Sequence, residues 1–461
     1  MKPVRNLFVP LLILLFFACK KESFTNNSSA VLRTSVDTLH FDTVFTTTGS
    51  TSQFIKIIND NNKGIHISSV KLAGGASSPF KINVDGIPGP QVSNADVLAE
   101  DSIYIYVTVS INPTAANLPF IVRDSIEINY NGNKKFVQLD AYGRNAHFFR
   151  NRKITSFEIW NNDLPYVILG GLTIDTNATL SINKGCKIYS HADAPFIVNG
   201  TLWVNGEKED SSRVVFTGDR LDEPYKNFPA SYPGIIFTDV SKNNILNYTI
   251  IKNAYQGIVV TNPSAGIKLS LNETIIDNAY DAGLLGVNTS ITARNLLVSN
   301  CGKNILLVAG GNYNFSHCTA ATISSNFVQH KEPILVLSNY LNNTAVDLNA
   351  VFRNCIFWGE ANGIVDDEVV VLKKGNTAFN VTFDQVLWRI KTNPANSTIN
   401  GALNNQNPQF DSVNTSQKIY SFRLKEGSPA LNKGGNAGVT VDLDGNLRPV
   451  GLPDLGAYEK Q

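Results

Sequence analysis

The chain contains almost no methionine and little charge. Its one methionine is the initiator, which excludes a methionine-rich groove for peptide helices. Charged residues make up 17% of the 461 residues, and 39 Lys and Arg against 38 Asp and Glu leave a net charge of +1. No overall field gathers nucleic acid, so we expect no nucleic-acid partner. Abundant Asn, Thr, Ser and Gly favour short strands joined by polar turns over long solvated helices.

The apolar run at the N-terminus is too short to cross a bilayer. It extends from Leu7 to Ala18, whereas a spanning helix needs about 20 apolar residues. Lys2 and Arg5 precede it. A short apolar segment behind positive charge is typical of a secretory signal peptide, which we assign to residues 1–18.

The end of this segment, LFFAC, resembles the lipobox of bacterial lipoproteins. The resemblance implies that Cys19 is the first mature residue and carries the acyl chains, although Phe16 and Phe17 are bulkier than the family prefers. Residues 19–30 are polar without an apolar period, which predicts a flexible tether. The implied location is the outer membrane, on the periplasmic or the cell-surface side, with the lipid anchor as the membrane contact. The alternative is an ordinary secretory signal with a chance cysteine.

The remaining cysteines are too few and too widely spaced for a metal site or a dense disulfide scaffold. They are Cys186, Cys301, Cys318 and Cys355. We expect buried thiols that act as small hydrophobes, with a disulfide as the alternative.

Residues 31–145 have the pattern of a β-sandwich. Ile103, Ile105 and Val107 alternate with polar or aromatic residues, as in a half-buried strand. Asn131-Gly132 between two alternating runs predicts a hairpin. The segment resembles the immunoglobulin-like modules of the ASPM and hydin group in FIKIINDNNKGIHISSVKLAGG, SSPFKI, YIYVTVSINP and VQLDAYGR. The resemblance implies a spacer or a protein-interaction unit.

Residues 146–425 have the pattern of a solenoid. Short apolar pairs separated by one residue recur, at Leu172 and Ile174, Leu180 and Ile182, Leu202 and Val204, and Val214 and Phe216. The segments NYTIIKNA, NETIIDNA and RNLLVSNC, which begin at residues 247, 272 and 294, repeat with offsets of 25 and 22, and SHCTA and RNCIFWG continue the series. This period suits one coil of a β-helix, and the frame of a leucine-rich repeat is absent.

The solenoid resembles bacterial right-handed parallel β-helix proteins of the pectin-lyase-like fold. The opening LTIDTNATLSINKGCKIYSHADAPFIVNGTLWVNGEKEDSSRVVFTG and the closing NPQFDS, FRLKEGSPALNKG and DLDGNLRPVGLPDLGAYE carry the resemblance. We therefore predict an all-β chain, with an immunoglobulin-like β-sandwich, then a right-handed parallel β-helix, then a C-terminal cap segment at residues 426–461. Such a resemblance implies architecture and export, and no particular reaction.

Asn253, Asn278 and Asn300 occupy one position of the repeat. Stacked coils would place them in a column, where side-chain amides can donate and accept along the stack. We expect a structural asparagine ladder. The alternative is a polar stripe that binds a ligand.

Lys252 and Asp277 precede this column by one position. A polysaccharide lyase needs a base beside carboxylates that hold a cation, often calcium. No cluster of carboxylates accompanies this pair, so we expect a solvated pair, no cofactor and no metal. Calcium is a possible cofactor only if the chain is a lyase.

Three insertions interrupt the coils, at residues 219–232, 322–351 and 364–372. Long loops on a rigid solenoid often carry binding, and aromatic groups beside polar groups suit a sugar ring. The candidate ligand-binding residues of the first insertion are Asp219, Arg220, Tyr225, Phe228 and Tyr232. Ordinary surface loops are the alternative.

The sequence favours a lipid-anchored, non-catalytic binding or adhesion protein for a polysaccharide or for an envelope protein. A polysaccharide lyase or glycoside hydrolase on the same fold is the second reading, and a structural stalk is the third. The sequence does not specify the oligomeric state.

Overall fold

The computed structural model describes residues 22–46, 49–112, 120–323, 327–414 and 419–461. The predicted signal peptide and Cys19 lie outside these ranges. The described chain is all-β, and its helical turns are three short 3₁₀ segments at Gly75–Ser77, Asp210–Ser212 and Tyr225–Asn227. Across these ranges, no helix has the length and apolarity that crossing a bilayer requires. The chain divides into two compact units between Asn145 and Ala146.

The N-terminal unit is a sandwich of two five-stranded sheets, which confirms the predicted fold class. Its strands are β1 (Arg33–Thr34), β2 (Thr38–Phe45), β3 (Gln53–Ile58), β4 (Ile65–Leu72), β5 (Phe80–Val84), β6 (Ile87–Pro88), β7 (Gln91–Val97), β8 (Ser102–Val109), β9 (Phe120–Tyr130) and β10 (Asn133–Arg144). The strand orders are β1-β3-β8-β5-β6 and β2-β10-β9-β4-β7. Alternate side chains of both sheets, such as Ile105 and Ile126, are fully buried between them.

The predicted hairpin joins β9 to β10. Asn131 and Gly132 have φ of 46° and 76°, and the strands on either side pair in antiparallel register. Asparagine and glycine tolerate positive φ at both central positions, which is the conformation that a two-residue hairpin turn requires.

Part of the predicted tether packs against this sandwich. Phe24 forms a parallel β-bridge with Gly64 and stacks on His66, with ring centroids 4.0 Å apart. The backbone N–H of Gly64 donates to the carbonyl of Ser23. Residues 23–25 are therefore packed against the sandwich and are not a flexible tether. The sequence did not predict this, because the packing depends on a single aromatic side chain and not on an apolar period.

The C-terminal unit is a parallel β-helix followed by a flanking segment. Its strands are β11 (His147–Ile154), β12 (Phe157–Trp160), β13 (Tyr166–Ile174), β14 (Thr179–Asn183), β15 (Lys187–Ser190), β16 (Phe196–Val198), β17 (Thr201–Asn205), β18 (Val214–Gly218), β19 (Ile235–Phe237), β20 (Asn244–Asn247), β21 (Thr249–Lys252), β22 (Gln256–Thr261), β23 (Leu269–Asn272), β24 (Ile275–Asp277), β25 (Ala282–Arg294), β26 (Leu297–Ser299), β27 (Lys303–Ser316), β28 (Thr319–Thr322), β29 (Leu335–Ser338), β30 (Tyr340–Leu341), β31 (Thr344–Ala345), β32 (Leu348–Arg353), β33 (Ile356–Gly359), β34 (Val369–Leu372), β35 (Phe379–Asp384), β36 (Leu387–Trp388), β37 (Thr398–Asn400), β38 (Leu403–Asn404), β39 (Phe410–Asn414) and β40 (Ile419–Leu424).

The strands of the β-helix stack into three faces. Face A contains β15, β18, β21, β24, β26, β28, β33, β36 and β38. Face B contains β16, β19, β22, the first halves of β25 and β27, β29 and β34. Face C contains β12, β14, β17, β20, β23, the second halves of β25 and β27, β32, β35 and β37. Most coils therefore contribute one strand segment to each face, whereas the last coils, with β36, β37 and β38, pair only on faces A and C.

The register on face A confirms the predicted repeat. Ile276 pairs in parallel with Ile251 of the preceding coil and with Val298 of the following coil. Phe357, from the RNCIFWG copy, continues this column after Ala320. All of these side chains point into a shared apolar core, where burying each isoleucine, valine or phenylalanine contributes about 1.5–3 kcal/mol.

The two later insertions are shorter than the sequence suggested. Residues 322–351 contain β29 of face B, the hairpin β30–β31 and the start of β32 of face C. Residues 364–372 end in β34 of face B. The apolar runs in these segments are strands of the solenoid, and they were misassigned because their spacing departs from the 22–25-residue period.

The C-terminal segment lies along the side of the β-helix and does not close its end. The hairpin β39–β40 and residues 426–461 cover the outward side chains of face A, which include Ile275, Leu297, Ile356 and Leu387. Asn295 and Asn354 donate to the carbonyls of Val441 and Gly435, at 2.8 and 2.7 Å. The segment thus bridges several coils, and the cap predicted for residues 426–461 is corrected to a flanking strap that begins at the hairpin.

The strap also explains the DLDGN motif. The Asp442 carboxylate accepts hydrogen bonds from the backbone N–H groups of Asp444, Asn446 and Glu459. Arg448 and Glu459 form an ion pair at 3.0 Å in which both side chains are fully buried. The aspartate therefore organises a turn. Cys186, Cys301, Cys318 and Cys355 are all free and buried.

Candidate functional site

The candidate site lies where face A turns into face B, which we call the A–B corner. The turns after β18, β21, β24, β26, β28 and β33 lie here, and they include the insertion at residues 219–232. On the opposite side of face A, the turns that enter it are covered by the strap, as the contacts of Asn295 and Asn354 show. The A–B corner is therefore the side of face A that carries the insertion, opposite the turns that Asn295 and Asn354 tie to the strap.

The three asparagines of the repeat lie at this corner. All adopt positive φ, between 52° and 64°, a conformation that asparagine tolerates better than most residues. The Asn278 amide donates to Asn253 Oδ1 at 2.8 Å, whereas the Asn300 amide donates to Asp277 Oδ1 at 3.3 Å. Asn253 and Asn278 are thus joined directly, and Asn300 is joined to the adjacent column.

The first insertion covers this asparagine column. Asn253 and Asn278 donate to the carbonyls of Lys226 and Asn227, at 2.9 and 3.0 Å. The side-chain amides therefore satisfy backbone groups of the insertion as well as one another. Because these amides are already hydrogen-bonded, Asn253 and Asn278 have few side-chain donors or acceptors left for a ligand.

The predicted ligand-binding residues of the insertion are mostly occupied by internal contacts. The Arg220 guanidinium forms two 2.8 Å hydrogen bonds with the Asp222 carboxylate and lies 4.0 Å from the centroid of the Tyr225 ring. The Phe228 ring packs against Tyr225 and Phe327. Of these groups, the Tyr225 ring is 44% exposed and is the one most open to a ligand.

Two residues of the predicted set are not surface groups. Tyr232 is 1% exposed and forms a parallel β-bridge with Ala254, and its hydroxyl is buried, so it does not reach a ligand. Asp219 accepts a 2.7 Å hydrogen bond from His191, and burial raises the pKa of its carboxyl. The sequence assigned both residues to a loop and could not show that the loop folds back on the coils.

Lys252 and Asp277 are register partners in adjacent coils of face A. Asp277 Oδ1 accepts hydrogen bonds from Ser299 and Asn300, at 2.6 and 3.3 Å. Burial raises the pKa of the Asp277 carboxyl, and the hydrogen bonds and Lys252 only partly offset this rise. Within the described ranges, no three His, Cys, Asp or Glu side chains are grouped so that they could hold a metal ion.

A stacked pair of exposed tyrosines, missed by the sequence analysis, lies at the same corner. The Tyr255 and Tyr280 rings have centroids 5.9 Å apart and an interplanar angle of 25°. They are 46% and 54% exposed. A signal existed in the sequence, because the repeated Asn-Ala pair is followed by tyrosine in both coils. In the next coil Gly302 follows Cys301 at this position, so that coil adds no third ring to the stack.

A polar row accompanies the tyrosine pair. Asp281 accepts hydrogen bonds from Gln256 and from Lys303, both at 2.8 Å. Although burial raises the pKa of Asp281, the hydrogen bonds from Lys303 and Gln256 hold it below its ordinary value, and the same contact raises the pKa of Lys303. Asp281 is therefore a charged acceptor fixed between two donors beside an exposed ring. Such groups can orient sugar hydroxyls while the ring stacks on the apolar face of the sugar.

A buried charged cluster lies deeper in the corner. Glu368 contacts His330 at 2.9 Å and also pairs with Arg389, and Glu368 is fully buried. A Cβ at Gly359 would lie 2.1 Å from His330 Nε2 and 2.2 Å from Glu368 Oε1, so only glycine leaves room for this contact. The cluster anchors the turn before β34 and is closed to a polymer.

No protein-family model and no curated protein matches the chain. Among solved structures, the chain is similar to pectate lyase Pel9A, with 15% identity over 66% of this chain and 89% of that one, and a TM-score of 0.26. It is also similar to a GH87 α-1,3-glucanase from Streptomyces thermodiastaticus, with 11% identity over 76% and 88% of the chains and a TM-score of 0.22. An ASH/PapD-like domain of human CEP192 matches 28% of this chain over 92% of its own length, with 9% identity and a TM-score of 0.18. Similarity at this level concerns the fold alone.

Proposed function

We propose that the chain is a polysaccharide-binding protein of the cell envelope, and that it binds without catalysis at the A–B corner. The observation that carries this proposal is the stacked pair Tyr255 and Tyr280 beside the fixed Asp281 carboxylate. Aromatic rings aligned on successive coils present a repeating surface, which suits a ligand that is itself a repeating chain. The coils hold both rings on a rigid scaffold, so little ordering is needed on binding.

The absence of catalysis is inferred from the Lys252 and Asp277 pair. Lyase chemistry requires a base together with a cation that neutralises the uronate. The raised pKa of Asp277 opposes the charged form that would hold a cation, and Ser299 and Asn300 already occupy one of its oxygens. We therefore expect no unsaturated uronide from pectin, alginate or glycosaminoglycans, with or without calcium.

The binding test is a glycan array followed by titration of the best ligand. Tyr280→Ala and Tyr255→Ala should each weaken binding about tenfold, the size of a moderate hot spot. The matched control is Tyr225→Ala, because that ring is also exposed but lies on the insertion. If Tyr225→Ala abolishes binding while Tyr280→Ala does not, the ligand lies on the insertion and the proposed site is wrong.

We further propose that Cys19 anchors the chain to the outer membrane. Acyl chains on this cysteine would be the strong lipid contact, since a net charge of +1, or of −1 once residues 1–18 with Lys2 and Arg5 are removed, offers little attraction to anionic lipid. Cys19→Ser should move the protein from the membrane fraction to the soluble fraction. A variant that remains in the membrane after a high-salt wash would contradict this assignment.

The second candidate function is a polysaccharide lyase or hydrolase. It is favoured by one observation, the raised pKa of Asp277 next to Lys252, since a protonated carboxyl can act as a general acid. Product that disappears in Lys252→Ala or Asp277→Ala would establish this activity, detected as ultraviolet absorbance for a lyase and as new reducing ends for a hydrolase. Product that persists in both variants would place the active site elsewhere.

A further inference from the structure

One side of the N-terminal sandwich carries an exposed aromatic cluster. Phe54 on β3 and Tyr104 and Tyr106 on β8 point outward from the sheet β1-β3-β8-β5-β6. The ring centroids of Tyr104 and Tyr106 are 5.9 Å apart, and that of Phe54 lies 5.4 Å from Tyr104 and 6.4 Å from Tyr106. Phe54 is 51% exposed and Tyr106 is 46% exposed. Three neighbouring rings on an outer sheet face are not needed for the core, which the alternate residues of the same strands already fill.

A shallow cleft adjoins these rings. Its volume is about 500 Å³, within the range of small-ligand sites, and its lining includes Ser52, Lys81, Asn83, Pro88, Tyr106 and Thr108. Asn83 lies opposite Tyr106 on the neighbouring strand, and Lys81 lies opposite Thr108. A row of ring, amide, hydroxyl and ammonium groups therefore crosses the central strands. This mixture combines an apolar stacking surface with donors and acceptors for hydroxyl groups.

The central strands of this face carry charge of one sign. The strands β3, β8 and β5 contain two lysines, Lys56 and Lys81, and no acidic residue. The Lys56 ammonium lies 5.0 Å from the centroid of the Tyr104 ring, which holds the cation over the cluster. Neither lysine forms an ion pair with any carboxylate in the part of the chain that the structure describes. Both ammonium groups thus remain able to pair with a negative charge on a ligand.

We propose that this face, formed by Phe54, Tyr104, Tyr106, Lys56 and Lys81, is a second binding site and that its ligand is an anionic, uronate-containing polysaccharide. The rings would stack on the sugar faces, and the two lysines would pair with carboxylates. Asn83 and Thr108 would hydrogen-bond to hydroxyls. The site belongs to the module that the sequence assigned to spacing or protein contact, and it does not depend on the A–B corner.

The test uses the full chain with Tyr255→Ala and Tyr280→Ala already in place, so that the corner does not contribute. Polygalacturonate is the anionic probe, and a soluble neutral glucan of similar length is the comparison. Tyr106→Ala should weaken polygalacturonate binding about tenfold. The double variant Lys56→Gln and Lys81→Gln should abolish the preference for polygalacturonate over the glucan. Binding to polygalacturonate should also weaken with added salt, as expected for partly exposed charges.

The control variant is Tyr142→Ala. Tyr142 is 49% exposed but lies on β10, in the other sheet of the same sandwich. It should bind like its parent. Equal losses in Tyr106→Ala and Tyr142→Ala, or binding that is the same for both glycans and insensitive to salt, would overturn the proposal. Capture of an envelope protein through Tyr106, with no retention of either glycan, would assign the face to a protein partner and would also overturn it.

Discussion

Replacing Asn278 with leucine tests whether the A–B corner depends on its asparagine column. The Asn278 amide donates to Asn253 Oδ1 at 2.8 Å and to the Asn227 carbonyl at 3.0 Å. Leucine would leave both acceptors without this donor. It would also place a γ-branched side chain at a residue whose φ is 56°.

The expected loss of stability follows from these two effects. Each acceptor left without its partner costs about 1–3 kcal/mol, toward the lower end here because Asn278 is only partly buried. The left-handed conformation costs about 1–2 kcal/mol for a residue other than glycine, asparagine or aspartate. Together they predict a loss of about 3–4 kcal/mol in the free energy of unfolding.

The matched control is Asn262→Leu. Asn262 has φ of 58° and is exposed, and its side chain has no hydrogen bond within the described ranges. The control therefore carries the conformational cost alone, and the difference between the two variants should be about 2 kcal/mol.

The assay is urea unfolding followed by tryptophan fluorescence. All four tryptophans, at positions 160, 203, 358 and 388, belong to the C-terminal unit, so the signal reports the β-helix without interference from the sandwich. If Asn278→Leu is no more destabilising than Asn262→Leu, the Asn278 side chain does not satisfy the neighbouring coil, and the proposed structure of the corner is wrong.

Three other predictions concern buried charge. Arg448→Met leaves Glu459 buried without its partner and should destabilise the β-helix by about 3–5 kcal/mol, whereas Arg33→Met, which breaks an exposed pair of the same 3.0 Å length, should cost below about 1 kcal/mol; calorimetry of the full chain measures both. Burial raises the pKa of Asp277, so the folded chain holds this proton more tightly than the unfolded chain, and stability falls as the pH rises from about 4 through the raised value. Asp277→Asn should therefore exceed its parent in urea midpoint by more at pH 7 than at pH 4, and an equal gap at both pH values would refute this sign. Lys268 is fully buried and donates to three backbone carbonyls, so Lys268→Met should lower stability by about 2–3 kcal/mol, and an unchanged urea midpoint would show that water replaces the ammonium.

The fold could be predicted from local patterns, because the burial of each strand appears as an alternation of apolar and polar residues along it. The alternation of Ile103, Ile105 and Val107 predicts one buried side of a strand, and their burial confirms it. The coil register could be read for a similar reason. Parallel stacking requires equivalent residues to lie above one another, so the spacing of the NYTIIKNA copies appears directly as the pairing of Ile251 with Ile276.

The strap could not be predicted from the sequence. Its residues contact coils that are distant along the chain, as when Arg213 donates to the Leu443 carbonyl at 2.5 Å. The C-terminal motif predicts a compact segment, but it does not indicate which face of the β-helix that segment covers. The strap packs on outward-facing apolar residues of face A such as Leu297 and Ile356. In the sequence these residues cannot be told from residues that point into the core of the β-helix.

The features of the candidate sites likewise fall into those that the sequence determines and those that only the tertiary structure decides. The sequence by itself determined the all-β class, the order of sandwich and β-helix, the coil period and the alignment of Asn253 with Asn278, because these depend on residue type and spacing along the chain. Only the tertiary structure decided that Tyr232 is buried, that Arg220 is paired within its own loop, and that Tyr255 and Tyr280 form an exposed stack. The physical reason is that exposure and pairing depend on which segments fold over a residue. Those contacts join residues that are far apart in the sequence, so no local pattern contains them.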